Sequence, residues 1–135
     1  MREIPIHFFA LLTATAAKML VGALWYSPAL FLNTWRRVAG VTPEQMKEGI
    51  GRALAVESIG SLIMAFVLVH AVRYAGATTA FQGMAVGFFN WLGFVAVVTI
   101  GSVTYQRKPF ELFLLINGYL LISLLVMGAI LAVWG

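Results

Sequence analysis

Two ionisable residues, Lys18 and Glu57, lie inside long apolar stretches of the sequence. A charge at the centre of a bilayer costs at least about 2.5 to 3.5 kcal/mol on insertion scales, so such a residue is expected to have a partner or a function. Counted at about 1.5 Å per helical residue, Lys18 lies about 12 Å and Glu57 about 8 Å from the same membrane boundary. Their similar depths predict an intramembrane ion pair.

Two uncharged polar residues, Asn117 and Thr99, are expected near the same depth. A cluster of Lys18, Glu57, Asn117 and Thr99 could hold an ion, a proton or a small polar ligand. The same pair could instead only neutralise two buried charges and fix the register of the helices, which is a known use of buried polar groups. Lys18 could also extend partway to the membrane surface. The sequence leaves these alternatives open.

Patterns typical of catalysis or metal binding are absent from the sequence. It contains no cysteine, and it has no HExxH, GxSxG or phosphate-loop motif. Of the two histidines, His70 lies about 220° around its helix from Glu57, so it cannot point toward the interior of the bundle as Glu57 does. His7 and His70 are therefore expected at a membrane boundary and not in one metal site. The sequence predicts no catalytic residue, no metal and no cofactor, and indicates that the protein is not an enzyme.

The composition excludes an ordinary water-soluble domain. Hydrophobic residues make up 61% of the chain and charged residues only 10%, which is too few to cover a water-facing surface. Four apolar runs, at about 6–26, 53–75, 80–104 and 111–134, are long enough to cross the roughly 30 Å hydrocarbon layer as helices. We predict a single transmembrane domain over residues 1–135, an all-α integral membrane four-helix bundle.

The stretch between the first two runs carries a short amphipathic segment. Residues 29–39 place apolar side chains on one helical face and Arg36 and Arg37 on the other, which is typical of a helix lying in the membrane interface. We expect Trp25, Phe31 and Trp35 to anchor it, and the two arginines to contact anionic lipid headgroups.

The next helix is predicted to begin near residue 43. Thr42 and Gln45 have the spacing of a capping box, and Pro43 lies at the first helical position. Gly49 and Gly51 follow, and each glycine costs about 1 kcal/mol in a helix relative to alanine. We expect a bend or a break at these glycines.

Basic residues near the ends of the runs predict the orientation. Six of them lie on the side of residues 27–52 and two on the other, so we expect both termini outside and the amphipathic segment inside. The six are Arg36, Arg37, Lys47, Arg52, Arg107 and Lys108, and the two are Arg2 and Arg73. Since these charges are spread thinly at membrane boundaries, lipid is the expected partner and nucleic acid is not.

The third run carries glycines at a spacing that favours close helix packing. Gly83 and Gly87 form a GxxxG pattern, which lets two helix backbones approach. Helical periodicity extends the same stripe to Asn90 and Phe94. Packing within the chain is the favoured interpretation, and a seam between two copies is the alternative.

Several motifs resemble the bacterial domain-of-unknown-function family DUF1761. They are Gly22-Ala23-Leu24-Trp25-Tyr26-Ser27-Pro28, Trp91-Leu92-Gly93-Phe94, and Lys108-Pro109-Phe110 followed by Asn117 and Tyr119. The resemblance covers nearly the whole chain. It implies four membrane helices in a bacterial inner membrane, and it supplies no activity.

Of three functions of different classes, a membrane enzyme is the weakest, and two others remain. The chain could bind or transport an ion or a small polar molecule, and transport would favour a homo-oligomer because four helices make a thin wall around a pathway. It could instead be a structural or accessory subunit of a larger membrane protein complex, which needs no internal site.

Overall fold

The computed structural model describes residues 6–134, and this part of the chain is all-helical. Its five helices are α1 (Phe8–Trp25), α2 (Leu32–Ala39), α3 (Pro43–Tyr74), α4 (Ala80–Thr104) and α5 (Phe110–Trp134). All except α2 are long and apolar enough to cross a membrane. The predicted class, all-α with four helices that can span a bilayer, is confirmed.

The start of α3 follows from its capping residues. Thr42 Oγ1 accepts a hydrogen bond from the backbone N–H of Gln45, and Gln45 Oε1 accepts one from the backbone N–H of Thr42. Pro43, which has no N–H to leave unpaired, occupies the first helical position. The predicted start near residue 43 is confirmed.

Of the bend or break predicted in α3, the break is wrong, because the helix continues from Pro43 to Tyr74 through Gly49 and Gly51; the bend stays a prediction. Two glycines together cost about 2 kcal/mol. A break would leave up to about four N–H and four C=O groups without helical partners. The continuous helix is therefore the more stable form.

The amphipathic helix α2 begins later than the predicted residue 29. Turns occupy the preceding residues: the N–H of Leu30 bonds to the carbonyl of Ser27, and the N–H of Phe31 bonds to the carbonyl of Trp25. Gly40 then ends α2 with a left-handed φ of 72°, a conformation that glycine adopts without strain. The helix is therefore limited to Leu32–Ala39.

The last helix, α5, is the central one, and the other three spanning helices pack against it. Against α4 the two backbones nearly touch. A Cβ atom added to Gly83 would lie 2.1 Å from the carbonyl oxygen of Gly128, and one added to Gly87 would lie 2.2 Å from that of Leu124. The GxxxG pattern thus packs α4 on α5 within the chain.

The hydrophobic core occupies only one half of the bundle. We call the half where α1 begins and α5 ends the terminal half, and the opposite half, which carries α2, the loop half. The buried apolar cluster lies in the terminal half, whereas residues 47–59 of α3, in the loop half, are all exposed. The core residues are Ala10, Leu11, Ala14, Ala65, Leu68, Val69, Val72, Ala77, Leu124, Met127, Leu131 and Ala132.

One turn of α4, Leu92–Ala96, is a π-helix. A π turn holds one residue more than an α turn, so the residues after it are rotated by about 100° relative to an unbroken α-helix. An unbroken α-helix would place Thr99 about 120° from Gly87, and the extra residue reduces this angle to about 20°. The π turn therefore brings Thr99 to the face that packs on α5. Phe94, within the turn, is 77% exposed.

Candidate functional site

Lys18 is buried in α1, with 2% of its surface exposed. Its ammonium Nζ donates to Oε1 of Glu57 at 2.5 Å, to Oγ of Ser61 at 2.9 Å and to the hydroxyl of Tyr119 at 2.9 Å. An ammonium has three N–H groups, so all of them are used. Lys18 and Glu57 form the ion pair that their depths predict.

Tyr119 and Ser61 complete the network. The Tyr119 hydroxyl donates to Glu57 Oε1 at 3.0 Å, and the ring centroid lies 5.0 Å from Lys18 Nζ. The Ser61 hydroxyl donates to the sulfur of Met19 at 3.6 Å. We call Lys18, Glu57, Ser61 and Tyr119, which come from α1, α3 and α5, the polar cluster.

The two charges of the polar cluster differ greatly in exposure. The Lys18 side chain is 3% exposed and the Glu57 side chain is 46% exposed. The hydrogen bonds that Lys18 and Tyr119 donate to Glu57 both end on Oε1. Within residues 6–134, no hydrogen bond reaches the other carboxylate oxygen, Oε2. The polar cluster is therefore buried at Lys18, which we call its closed side, and exposed at Glu57, which we call its open side.

Aromatic rings connect the polar cluster to α2. The ring of Tyr26 meets that of Tyr119 edge-on at 5.5 Å between centroids, and it meets that of Trp35 at 5.9 Å. Gly22 leaves space for this arrangement, because a Cβ there would lie 3.0 Å from the Tyr119 hydroxyl oxygen. Through these contacts α2 is linked to the polar cluster.

Asn117 and Thr99, which the sequence assigns to the same site, form a separate contact. Asn117 Nδ2 donates to Thr99 Oγ1 at 3.1 Å, and the indole N–H of Trp91 donates to the backbone carbonyl of Asn117 at 2.9 Å. Asn117 and Tyr119 are two residues apart, so they lie about 200° from each other around α5. The structure thus divides the predicted four-residue cluster in two, and Asn117 holds α4 against α5.

The three aromatic residues predicted as membrane anchors all contact other parts of the protein. The indole N–H of Trp25 donates to the backbone carbonyl of Leu115 in α5 at 3.0 Å. Phe31 packs on Trp25, with ring centroids 4.7 Å apart, and Trp35 packs on Tyr26. These rings fasten α2 to the bundle.

The two arginines of α2 have different surroundings. Arg37 forms an ion pair with Glu111 at 3.3 Å, and both side chains are more than half exposed. Arg36 is partly buried. Their contact with anionic lipid stays a prediction.

Ser61 and Tyr119 belong to the polar cluster but were not among the predicted site residues. A signal for Tyr119 exists in the sequence: it lies nine residues after Phe110, or about 14 Å into the helix. That is deeper than a boundary aromatic residue lies. A tyrosine hydroxyl at such depth is expected to have a hydrogen-bond partner.

The histidines have local roles. His7 Nδ1 accepts a hydrogen bond from the N–H of Ala10 at the start of α1, and His70 Nδ1 lies 2.7 Å from the carbonyl oxygen of Phe66 in its own helix. Across residues 6–134, no group of three or more His, Cys, Asp or Glu residues could hold a metal ion.

Four apolar helices long enough to cross a bilayer are typical of a multi-pass α-helical membrane protein. A family model described as "Protein of unknown function (DUF1761)" matches residues 9–132. The chain belongs to this family, and the resemblance of its motifs is confirmed. No curated protein and no solved structure matches the chain.

Proposed function

We propose that this chain is a small membrane protein whose polar cluster binds a small polar molecule or an ion. The observation that supports the proposal is the half-exposed carboxylate of Glu57 beside the buried ammonium of Lys18. A pair that served only to neutralise two charges would be expected to enclose both of them.

The depth of Glu57 makes its exposure costly. It lies seventeen positions before Tyr74, the end of α3, which corresponds to about 26 Å of helix. With a hydrocarbon layer of about 30 Å, Glu57 lies inside the apolar layer or at its edge. An unpaired carboxylate oxygen facing lipid is unfavourable there, so water, an ion or a polar ligand is needed to satisfy it.

Binding is favoured over transport by a single copy, since α5 occupies the centre of the bundle. A pathway across the membrane would then run between copies, in a homo-oligomer. The proposal assigns no catalytic step to the polar cluster.

The test is extraction of bound small molecules from the protein isolated from native membranes at near-native expression. We expect mass spectrometry to find a molecule or ion that the wild-type chain retains and the Lys18→Met/Glu57→Leu double variant loses. Glu111→Gln is the matched control, because it removes an exposed carboxylate outside the polar cluster. Identical extracts from all three proteins would contradict the proposal.

The second candidate, an accessory subunit of a larger membrane complex, is favoured by the uncovered part of α3. Among residues 47–59, four large apolar side chains are at least half exposed: Ile50, Leu54, Val56 and Ile59. A photo-crosslinking amino acid at Leu54 tests this candidate in native membranes. We expect one defined protein adduct if a partner covers α3, whereas adducts to lipid alone would contradict this second candidate.

A further inference from the structure

Every N–H and O–H group of the polar cluster side chains donates a hydrogen bond to a partner inside the protein. Lys18 donates its three N–H groups, Tyr119 donates its hydroxyl to Glu57, and Ser61 donates its hydroxyl to Met19. Glu57, when ionised, has no hydrogen to donate. The polar cluster therefore has no donor left for a ligand.

An acceptor, in contrast, is available. Oε2 of Glu57 receives no hydrogen bond from residues 6–134, and it belongs to the one charged side chain of the polar cluster that is open, with 46% exposed. A carboxylate oxygen accepts up to about two hydrogen bonds, and bonds from a charged donor are the strongest. The open edge of the cluster is thus a carboxylate oxygen, which accepts hydrogen bonds only.

We infer that the site takes a primary ammonium group, which donates N–H hydrogen bonds to Oε2 of Glu57, and that it rejects anions. This inference rests on the proposed function, and it specifies the chemistry of the ligand. An anion would find no free donor among the four residues of the polar cluster and would face the charge of Glu57. The ring of Tyr26, which contacts that of Tyr119, suits a cation, because aromatic faces attract positive charge. A divalent metal ion is disfavoured, since it requires several oxygen ligands and one is open.

Carboxyl NMR of the purified protein in detergent tests this inference. The sequence has five acidic residues, all glutamates, so ¹³C-carboxyl-labelled glutamate gives few signals, and Glu57→Gln assigns that of Glu57. The probes are ethylammonium chloride, tetramethylammonium chloride and sodium acetate at equal ionic strength. We expect saturable movement of the Glu57 signal with ethylammonium alone. The Glu111 signal, assigned with Glu111→Gln, reports non-specific ionic effects.

Binding affinity gives a second measurement on the same samples. Loss of one charge-assisted hydrogen bond is expected to weaken ethylammonium binding about tenfold or more in Glu57→Gln. Glu111→Gln should bind as the wild type does. An equal response to tetramethylammonium, which has no N–H, overturns the inference, as does a response to acetate or no response to any probe. These failures are separate from that of the proposed function, which is decided by whether native extracts contain any ligand.

The ammonium could belong to a soluble amine or to a lipid headgroup. Nanodiscs of phosphatidylethanolamine and of phosphatidylcholine separate these sources, because only the former carries a primary ammonium. Movement of the Glu57 signal in phosphatidylethanolamine without added probe assigns the site to the lipid. Movement in both nanodiscs only after ethylammonium is added assigns it to a soluble amine. Either result supports the inference, and an unmoved Glu57 signal in all samples overturns it.

Discussion

The terminal half and the loop half of this bundle are held together by different forces. In the terminal half, small and aliphatic side chains pack closely together, and the core contains residues such as Ala14, Val72 and Met127 with 0% of their surface exposed. In the loop half, hydrogen bonds among charged and polar groups join α1, α3 and α5, while much of α3 is uncovered. The lesson is that one short chain combines a closed packed end with an open polar end.

The largest effect is expected where the polar cluster is broken on one side. Glu57→Leu leaves the Lys18 charge buried and without its counter-ion, which should lower the free energy of unfolding by about 3 to 5 kcal/mol. Lys18→Met leaves a charge that is half exposed, so we expect a smaller loss of about 2 kcal/mol. Lys18→Met/Glu57→Leu should be close to the wild type, because replacing both partners with apolar residues is often neutral.

Denaturation of the four proteins in detergent and in lipid bicelles measures this cycle. The two single variants should differ in their loss of unfolding free energy, because the Lys18 side chain is buried and the Glu57 side chain is half exposed. This difference is the part of the prediction that is specific to this structure. Losses that add in the double variant would show that the two residues act independently. A greater loss for Lys18→Met than for Glu57→Leu would contradict the closed-and-open description of the cluster.

A smaller effect is expected for the contact between α4 and α5. In Gly87→Ala the new Cβ would meet the Leu124 carbonyl oxygen at 2.2 Å, so the helices must separate, at a cost of about 1 to 3 kcal/mol. Gly51→Ala adds the same methyl group where nothing lies within 4 Å. This control should gain up to about 1 kcal/mol from helix propensity. Equal stability of the two variants by thermal denaturation would show that α4 and α5 are not in close contact.

No change in stability is expected from the variants that test the orientation of the two halves. Ala29 lies in the loop half and Ala75 follows α3 in the terminal half, and both are exposed. In this cysteine-free chain, Ala29→Cys should react with an impermeant thiol reagent only from the cytoplasm, and Ala75→Cys only from outside. This follows from the six-to-two distribution of basic residues. Reaction of both from one side would exclude the four-span topology.

The sequence predicts the parts of this fold that depend on short residue patterns or on distance along a helix. Lengths of apolar runs locate the four spanning helices, the Thr42–Gln45 pattern locates the start of α3, and similar depth pairs Lys18 with Glu57. Exposure could not be predicted in this way. Whether Glu57 is open or closed depends on how far α3 lies from its neighbours in the loop half, and no residue pattern along one helix encodes that distance.

The position of Asn117 and Thr99 around their helices could not be predicted either. The sequence places them at the right depth for the polar cluster, yet depth says nothing of direction around α5. The phase of α4 also changes inside the helix, at Leu92–Ala96, so counting at a constant period gives the wrong face for every later residue. Gly93 alone does not signal a π turn, because glycine is common in membrane helices.

The π turn has a consequence for how the length of this chain can vary. One residue removed between Leu92 and Ala96 would convert the π turn into an α turn and leave Thr99 on the face toward Asn117, about 60° from Gly83 in either form. Relatives with and without that residue can therefore keep the same contact between α4 and α5. A single-residue gap at this position of a family alignment is thus compatible with an intact membrane helix, and the residues on both sides of it remain equivalent in space.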